Sequence, residues 1–443
     1  MVALLAAGCG GGAHRTAATT TPTPTATATP TDERDLPRLS EVAPCEDIPR
    51  ATCSTLPVPL DRSGKTAGRL DLRVAMSGPD GAPVLVFLSG GPGQPGLPFL
   101  ESARRHLGAA GRTYRLVVID QRGTGRTALR CPALQRQMGA SDIAEPTRAA
   151  VEACAKRLGD LRRFYATTDT VEDLDALRAA LGAQKIALDG VSYGTYVAER
   201  YALAHPDRVS RLVLDSVAPH HGITMLSELP MQATARVLGA KAARDLAKVV
   251  AREHNGVEML DMLTGLSIGK PHFAVATAAL RRAAAGDTGP LNRLHANVLR
   301  VERSYNASDL SQGLHAATLC ADIAAPWGAA TDVAERESKL RAASATVNTG
   351  PYDAETAERN GIAQQCLYWP PTTAPPNLPV ELPNVPTLLL AGTKDLSTPL
   401  EWAREEAGHA PGGKLVVVPG AGHSVQSQDR PAVKREVARF LKQ

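Results

Sequence analysis

"DGVSYGTYVAERY" (residues 189–201) decides the fold. It contains Gly190-Val191-Ser192-Tyr193-Gly194, a G-x-S-x-G pattern. In that pattern a serine sits on a sharp strand-to-helix turn, and the neighbouring backbone is too close for side chains on either side. The flanks agree. "KIALDG" before it reads as a short buried strand, and "TYVAERYALAHP" after it reads as a helix ending at Pro206. The same pattern recurs at "GLSIG" (265–269). There a helix-like stretch precedes it and Lys270-Pro271 follow, so Ser267 reads as a loop residue.

A serine hydroxyl is a poor nucleophile until a base takes its proton, and the base needs an orienting acid. When the serine sits on such a turn, the acid and then the histidine follow it in chain order. "TLLLAGTKDLSTP" (387–399) puts Asp395 just after an apolar strand, and "KLVVVPGAGHS" (414–424) puts His423 just after the next. Both lie at carboxyl ends of strands, where parallel sheets build their sites. Asp215, after "RLVL", is the rival acid. Asp189, beside the turn, reads as structural, and Thr398 as a residue that holds the Asp395 loop.

The glycine-rich "VFLSGGPGQPG" (86–96) then has a use. A tetrahedral intermediate carries an oxyanion that needs two backbone donors. One is expected from Tyr193, the residue after the serine, and one from the loop after an early strand. Gly91 is the expected second donor, with Gly90 as the alternative, because Pro92 has no N–H. A phosphate loop would need G-x-x-x-x-G-K-[ST], and a dinucleotide loop G-x-G-x-x-G opening a helix; neither pattern is present.

Working outward, strands and helices alternate through "GRLDLRVAMSG", "APVLVFLSG", "YRLVVIDQRG" and "VSRLVLDSVAP". Strands alternating with helices predict a mostly parallel sheet covered on both faces, an α/β fold. In the helix "TVEDLDALRAALG" Thr170 is the expected N-cap and Gly182 the residue after the last turn. From residue 221 to 375 the chain reads as helices and loops, a cap inserted into the core. The core is expected over 45–220 and again over 376–443.

The chain has 443 residues, 43% of them hydrophobic, enough for a large core. Its net charge of +4 is spread along the chain, which excludes a nucleic-acid stripe. No apolar run is long enough to span a bilayer. Residues 10–44, with "TAATTTPTPTATATPTDERD", read as a Thr/Pro-rich disordered linker. Before it stands "LLAAGCGGG", in which Cys9 follows small residues as at a lipoprotein cleavage site. Residues 1–9 are short for an export signal and lack a basic start, which predicts a true start upstream. A lipid on Cys9 would be the only membrane attachment.

Six of the seven cysteines remain, an even number in an exported chain, which suggests disulfides. Proximity suggests Cys45–Cys53, Cys131–Cys154 and Cys320–Cys366, with other pairings open. No C-x-x-C occurs, and nothing implies a metal or an organic cofactor.

"GGPGQPG", "VIDQRGTGRT", "DLDALRAALG", "GVSYGTYVAERYALAHPDRVSRLVLD", "LLLAGTKDLSTP" and "VVVPGAGHS" together resemble the prolyl and tripeptidyl aminopeptidase family of α/β-hydrolases. The resemblance runs from about Pro44 to the C-terminus. Ser89, where the prolyl branch has histidine, and the cysteine-bearing "LCADIAAPW" and "CLYWP" favour the secreted tripeptidyl branch. That branch joins the last two segments, which supports Cys320–Cys366. "LDSVAP" departs from it, lacking a glycine after the aspartate. The resemblance implies an α/β-hydrolase fold with a helical cap, and a serine exopeptidase releasing tripeptides, other short peptides or single residues from a free N-terminus. Ser192, Asp395 and His423 fall on its catalytic positions. It also implies a carboxylate for the substrate ammonium; Asp322 is the first candidate, before Glu228 and Glu258. The competing readings are an esterase, lactonase or amidase with the same triad, and a surface binding protein that keeps only the fold. The expected location is extracytoplasmic.

Overall fold

Short stretches rich in Val, Leu and Ile, such as VLVFL and RLVVI, are too apolar for a sheet with one wet face and build the centre of the protein. The computed structural model describes residues 37–271, 273–372 and 377–442. The expected signal over 1–9, Cys9 and most of the 10–44 linker lie outside the described residues. The strands are β1 (Ser40–Pro44), β2 (Thr52–Pro59), β3 (Arg69–Ser77), β4 (Val84–Leu88), β5 (Arg115–Ile119), β6 (Ile186–Ser192), β7 (Val209–Val217), β8 (Thr387–Gly392) and β9 (Gly413–Val418). They form one sheet in the order β1-β2-β3-β5-β4-β6-β7-β8-β9. From β5 to β9 the pairing is parallel; β1, β2 and β3 add antiparallel at one edge.

β4, β6 and β8 are buried along nearly their whole length, because helices cover both faces. One face carries the helices Thr167–Ala180 and Tyr193–Ala204, with Val171, Leu174, Leu177, Val197 and Tyr201 in its core. The other carries Leu100–Leu107 and Pro431–Phe440, with Leu100, Leu107, Val433 and Val437. The chain leaves β4 toward β5 on one side and leaves β6 toward β7 on the other. The carboxyl ends of β4 and β6 therefore flank the crevice where such sheets bind ligands.

Between β7 and β8 the described residues are helical, from Glu228–Leu238 to Gly361–Tyr368. Core and insertion belong to one compact unit, Pro37–Gln443. The expected boundaries need two changes. The linker read over 10–44 ends earlier, since Ser40–Pro44 pairs with β2. The helices Pro132–Met138 and Arg148–Leu158, expected in the sheet core, bury Leu134, Met138, Val151 and Cys154 in the same cluster as the cap residues Leu260, Leu314 and Ile362. The cap is thus assembled from two stretches of chain.

The helix holding Leu174 starts a turn before Thr170. Ala166 is its N-cap, and the Asp169 carboxylate accepts the Ala166 N–H at 3.2 Å. Alanine offers no capping oxygen; the N–H of Thr167, the first helical residue, is accepted instead by the Asp322 carboxylate. Gly182 follows the last turn with φ +66°, as expected.

All three expected disulfides are formed: Cys45–Cys53, Cys131–Cys154 and Cys320–Cys366. Cys131–Cys154 pins together the two helices that the core lends to the cap. The paired Cys131→Ala, Cys154→Ala variant should lose about 3 kcal/mol of stability, from a loop whose ends are 23 residues apart. Thermal unfolding of oxidised variant and parent, both without reductant, checks this as a lowered Tm.

Candidate active site

Ser192 ends β6 and Tyr193 begins the next helix, so the chain turns in one residue. Ser192 takes φ 57°, ψ −127°, a strained conformation for a residue with a side chain. The glycines beside it are forced. A Cβ at position 194 would stand 2.2 Å from the Leu88 carbonyl, and one at 190 would stand 2.4 Å from the Gly194 carbonyl. Gly90 lies against the serine itself, where a Cβ would meet the Ser192 Cβ at 3.1 Å.

His423 and Asp395 meet as the sequence predicts. His423 Nδ1 lies 2.9 Å from Asp395 Oδ2. A carboxylate only accepts, so Nδ1 carries the proton and Nε2 keeps the lone pair of the neutral ring. Asp395 is fully enclosed. Its Oδ1 accepts the N–H groups of Ser397 and Thr398, both at 2.9 Å, and its Oδ2 accepts the Thr398 hydroxyl at 2.8 Å. Thr398 therefore does hold this loop. Burial alone would lower the pKa of His423, but the Asp395 carboxylate outweighs it, and the net shift is upward.

Asp215 has a different task. Its carboxylate accepts the N–H groups of Val425 and Gln426 at 2.8 and 2.7 Å, just past His423. Asp189 accepts the Gln426 side-chain amide at 2.8 Å. Burial pushes Asp215 up to about 6 and Asp189 up to about 7. Both anchor the turn that carries the histidine.

Ser267 is the residue whose importance the sequence hid. It is a loop residue, as expected, but it is fully buried between the two loops of the pair. Its hydroxyl accepts the Leu396 N–H at 3.2 Å, and its carbonyl accepts the His423 N–H at 2.9 Å. The His423 carbonyl in turn accepts the Gly269 N–H at 3.2 Å. The cap thus clamps the loops of both Asp395 and His423. No local pattern announces this, because the partners lie more than a hundred residues away.

Two cavities meet at Ser192. One is lined by Gly91, Ser192, Tyr193, Tyr196, Asp322 and Trp402, among others. The second is lined by Gly90, Gly91, Ser192 and His423, with Ile268 and Tyr305. Gly91, one of the two expected donors, borders both, and Tyr193 borders the first. Asp322 enters the first cavity; Glu228 and Glu258 line neither.

The Asp322 carboxylate accepts the Thr167 N–H at 3.2 and 3.4 Å, and the Thr167 hydroxyl lies 2.6 Å from the Tyr193 hydroxyl. Burial pushes Asp322 up to about 6. A second carboxylate, Asp142, borders both cavities and lies 2.9 Å from His315 Nε2. The sequence reading did not single it out.

Residues 83–257 match the alpha/beta hydrolase fold family, and residues 352–443 match the TAP-like protein family. A tripeptidyl aminopeptidase of Streptomyces coelicolor is 32% identical over 188 residues, 37% of this chain and 35% of that one. The serine protease Hip1 of Mycobacterium tuberculosis is 31% identical over 201 residues, 40% of this chain and 38% of that one. A probable proline iminopeptidase of Streptomyces coelicolor is 34% identical over 140 residues, 32% and 34% of the two chains. The matched stretch thus spans about a third of the length of these relatives. Among solved structures, an alpha/beta hydrolase enzyme from a Medee basin deep-sea metagenome library is 14% identical with a TM-score of 0.43, covering 84% of this chain and 94% of that one. The parallel sheet with its one-residue turn at Ser192 and the match over residues 83–257 show an α/β-hydrolase fold, and residues 352–443 are similar to the TAP-like protein family.

Proposed function

We propose that the protein is an extracytoplasmic serine aminopeptidase that releases short peptides from a free N-terminus. One observation carries the reading: Ser192 shares one cavity with the Asp322 carboxylate and another with His423. The acyl part of an aminopeptidase substrate ends in an ammonium group, which needs an anion. The leaving amine needs a proton donor. Asp322 and His423 supply these in different cavities, so a peptide has one direction across Ser192.

Ser192 attacks the carbonyl while His423 Nε2 takes its proton. Asp395 holds the ring and stabilises the imidazolium. The N–H groups of Tyr193 and Gly91 receive the oxyanion. His423 then protonates the leaving amine, and water releases the acyl part by the same steps in reverse roles. The relatives named as a tripeptidyl aminopeptidase and a probable proline iminopeptidase support peptide substrates. The three disulfides suit an oxidising compartment. A lipid on Cys9, followed by the Thr/Pro-rich linker, would tether the enzyme to a membrane surface.

Peptide anilides with free and with acetylated N-termini test the reading. The free series should be cleaved and the acetylated series spared, and Ser192→Ala should lower turnover by roughly 10⁴-fold or more. Equal cleavage of both series would instead mark a broad amidase or endopeptidase. Turnover of simple esters alone would mark an esterase.

Asp322→Asn keeps an acceptor for Thr167 but removes the charge. It should raise KM for free N-termini by more than about tenfold, one lost charged contact of roughly 1.5–3 kcal/mol. In the parent, KM should fall as pH rises through about 6, where Asp322 ionises. Because His423 must be neutral to act as base, kcat should rise with pH with a midpoint above the usual ~6.5. A pH series from 5 to 9 reads both. Ser267→Ala leaves the buried Leu396 N–H without its partner and should lower kcat by roughly tenfold with KM little changed.

A further inference from the structure

We propose that His220, Glu406 and His409 form a binding site for a divalent transition metal such as Zn²⁺. The site lies away from Ser192, where the chain leaves β7 for the cap. Glu406 and His409 stand three residues apart on the helix Leu400–His409, so they share a face. His220 comes to them across 186 residues of sequence, which is why no spacing motif announces the set. One ligand atom from each of the three lies within 4.8 Å of the others. Around a tetrahedral ion with bonds of about 2.0–2.2 Å, ligand atoms stand a little over 3 Å apart, so closure needs only side-chain adjustment.

The hydrogen bonding at His220 points to a cation. Its Nε2 lies 3.0 Å from the Pro379 carbonyl, which only accepts, so Nε2 carries a proton. In the neutral ring Nδ1 is then a lone pair, and it faces Glu406 Oε1 at 2.7 Å. Two acceptors at that distance need a proton or a metal ion between or beside them. Both side chains are fully enclosed. The third ligand points the same way: His409 Nδ1 is buried and has no hydrogen-bond partner among the described residues.

The surroundings fit a metal site. The Pro379 carbonyl fixes the His220 tautomer as an outer partner does in zinc sites. The His220 backbone N–H donates to the other Glu406 oxygen at 3.3 Å. His221 and Glu405, which are exposed, lie 3.3 Å apart at the rim. The His221 ring is 5.3 Å from that of His220 and 5.9 Å from that of His409, so a fourth ligand and an entry path are at hand. Two imidazoles and one carboxylate select Zn²⁺, Ni²⁺ or Co²⁺ over Ca²⁺ and Mg²⁺, which prefer oxygen.

An ion there would join the segment leaving β7 to the helix that follows the Asp395 loop. Gly222, Ile223 and Thr224, just beyond His221, wall the cavity that holds Asp322. Metal occupancy would therefore brace one wall of that cavity.

The rival explanation is a second proton on His220, giving a buried imidazolium–carboxylate pair with no metal. Equilibrium dialysis of the full chain, without a histidine tag and stripped with chelator, against micromolar ZnCl₂ separates the two. One equivalent of zinc should be retained, with protons released on binding. Removing an outer partner typically weakens zinc sites by about 10–100-fold, so His409→Ala and Glu406→Gln should each weaken binding at least that much. His409 ends its helix at the partly exposed rim, and circular dichroism checks that this variant stays folded. Co²⁺ in the parent should give the strong visible absorption of a four- or five-coordinate ion. No retained zinc, zinc retained equally by parent and His409→Ala, or only the weak spectrum of octahedral Co²⁺ would each overturn the proposal.

Discussion

The carbonyl of Leu88 presses against the place where residue 194 would carry a Cβ, and much else follows from that contact. β4 and β6 are neighbours, with Leu88 opposite Gly190. The helix after Ser192 can start at once only by passing over the end of β4. Glycine at 190 and 194 makes the passage possible, and Ser192 takes the strained φ between them. The strain is held by central strands buried on both faces. The same crowding brings the loop after β4 up to the serine, with Gly90 in contact. Ser192 and the glycine loop beside it are thus set by one close approach.

The histidine loop is arranged on a different principle. β9 stops at Val418, and the turn beyond it has no strand to hold it. Buried side chains take over that task. Asp215 and Asp189 grip Val425 and Gln426 from below, and Ser267 grips the His423 N–H from the cap. The acid loop shares the last of these contacts through Leu396. Residues from β6, β7 and the cap therefore fix a side chain that none of them carries. Burial pushes both acids upward, and the grip runs through the backbone N–H groups of Val425 and Gln426 to Asp215 and the Gln426 side-chain amide to Asp189.

How much of this was legible in the sequence depended on range. The inner strands could be read because burial on both faces leaves uninterrupted apolar runs, as in "TLLLAG" and "KLVVV". Ser192, Asp395 and His423 could be read because each follows such a run. β1 could not, since all its residues are exposed and it shows no alternation. β2 alternates well, with Ser54, Leu56 and Val58 inward, but Pro57 and Pro59 disguise it. β1 pairs with β2 only as far as Thr55, so those prolines stand on a stretch with a free edge, where a missing N–H costs nothing. The place of the 131–165 helices was hidden because an amphipathic helix does not say which apolar partner it meets. Ser267 is a loop residue as its flanks said, yet its contacts come from residues that are remote in the chain. Thr170 looked like a cap because the true one is an alanine helped by Asp169.

The disulfide between Cys45 and Cys53 has a mechanical consequence. β1 is the first strand of the described body and the outermost of the sheet. A pull on the chain ahead of Ser40 would peel β1 from β2, beginning with the pair Ser40–Thr55. The peeling stops at Cys45. There the covalent bridge carries the load past the intervening turn and delivers it to Cys53, which is registered against Ala75 of β3. The outer strand thus works as a sacrificial flap. Behind it a covalent stop protects the rest of the sheet, so a protein held by its leading end could be dragged without unravelling toward Ser192.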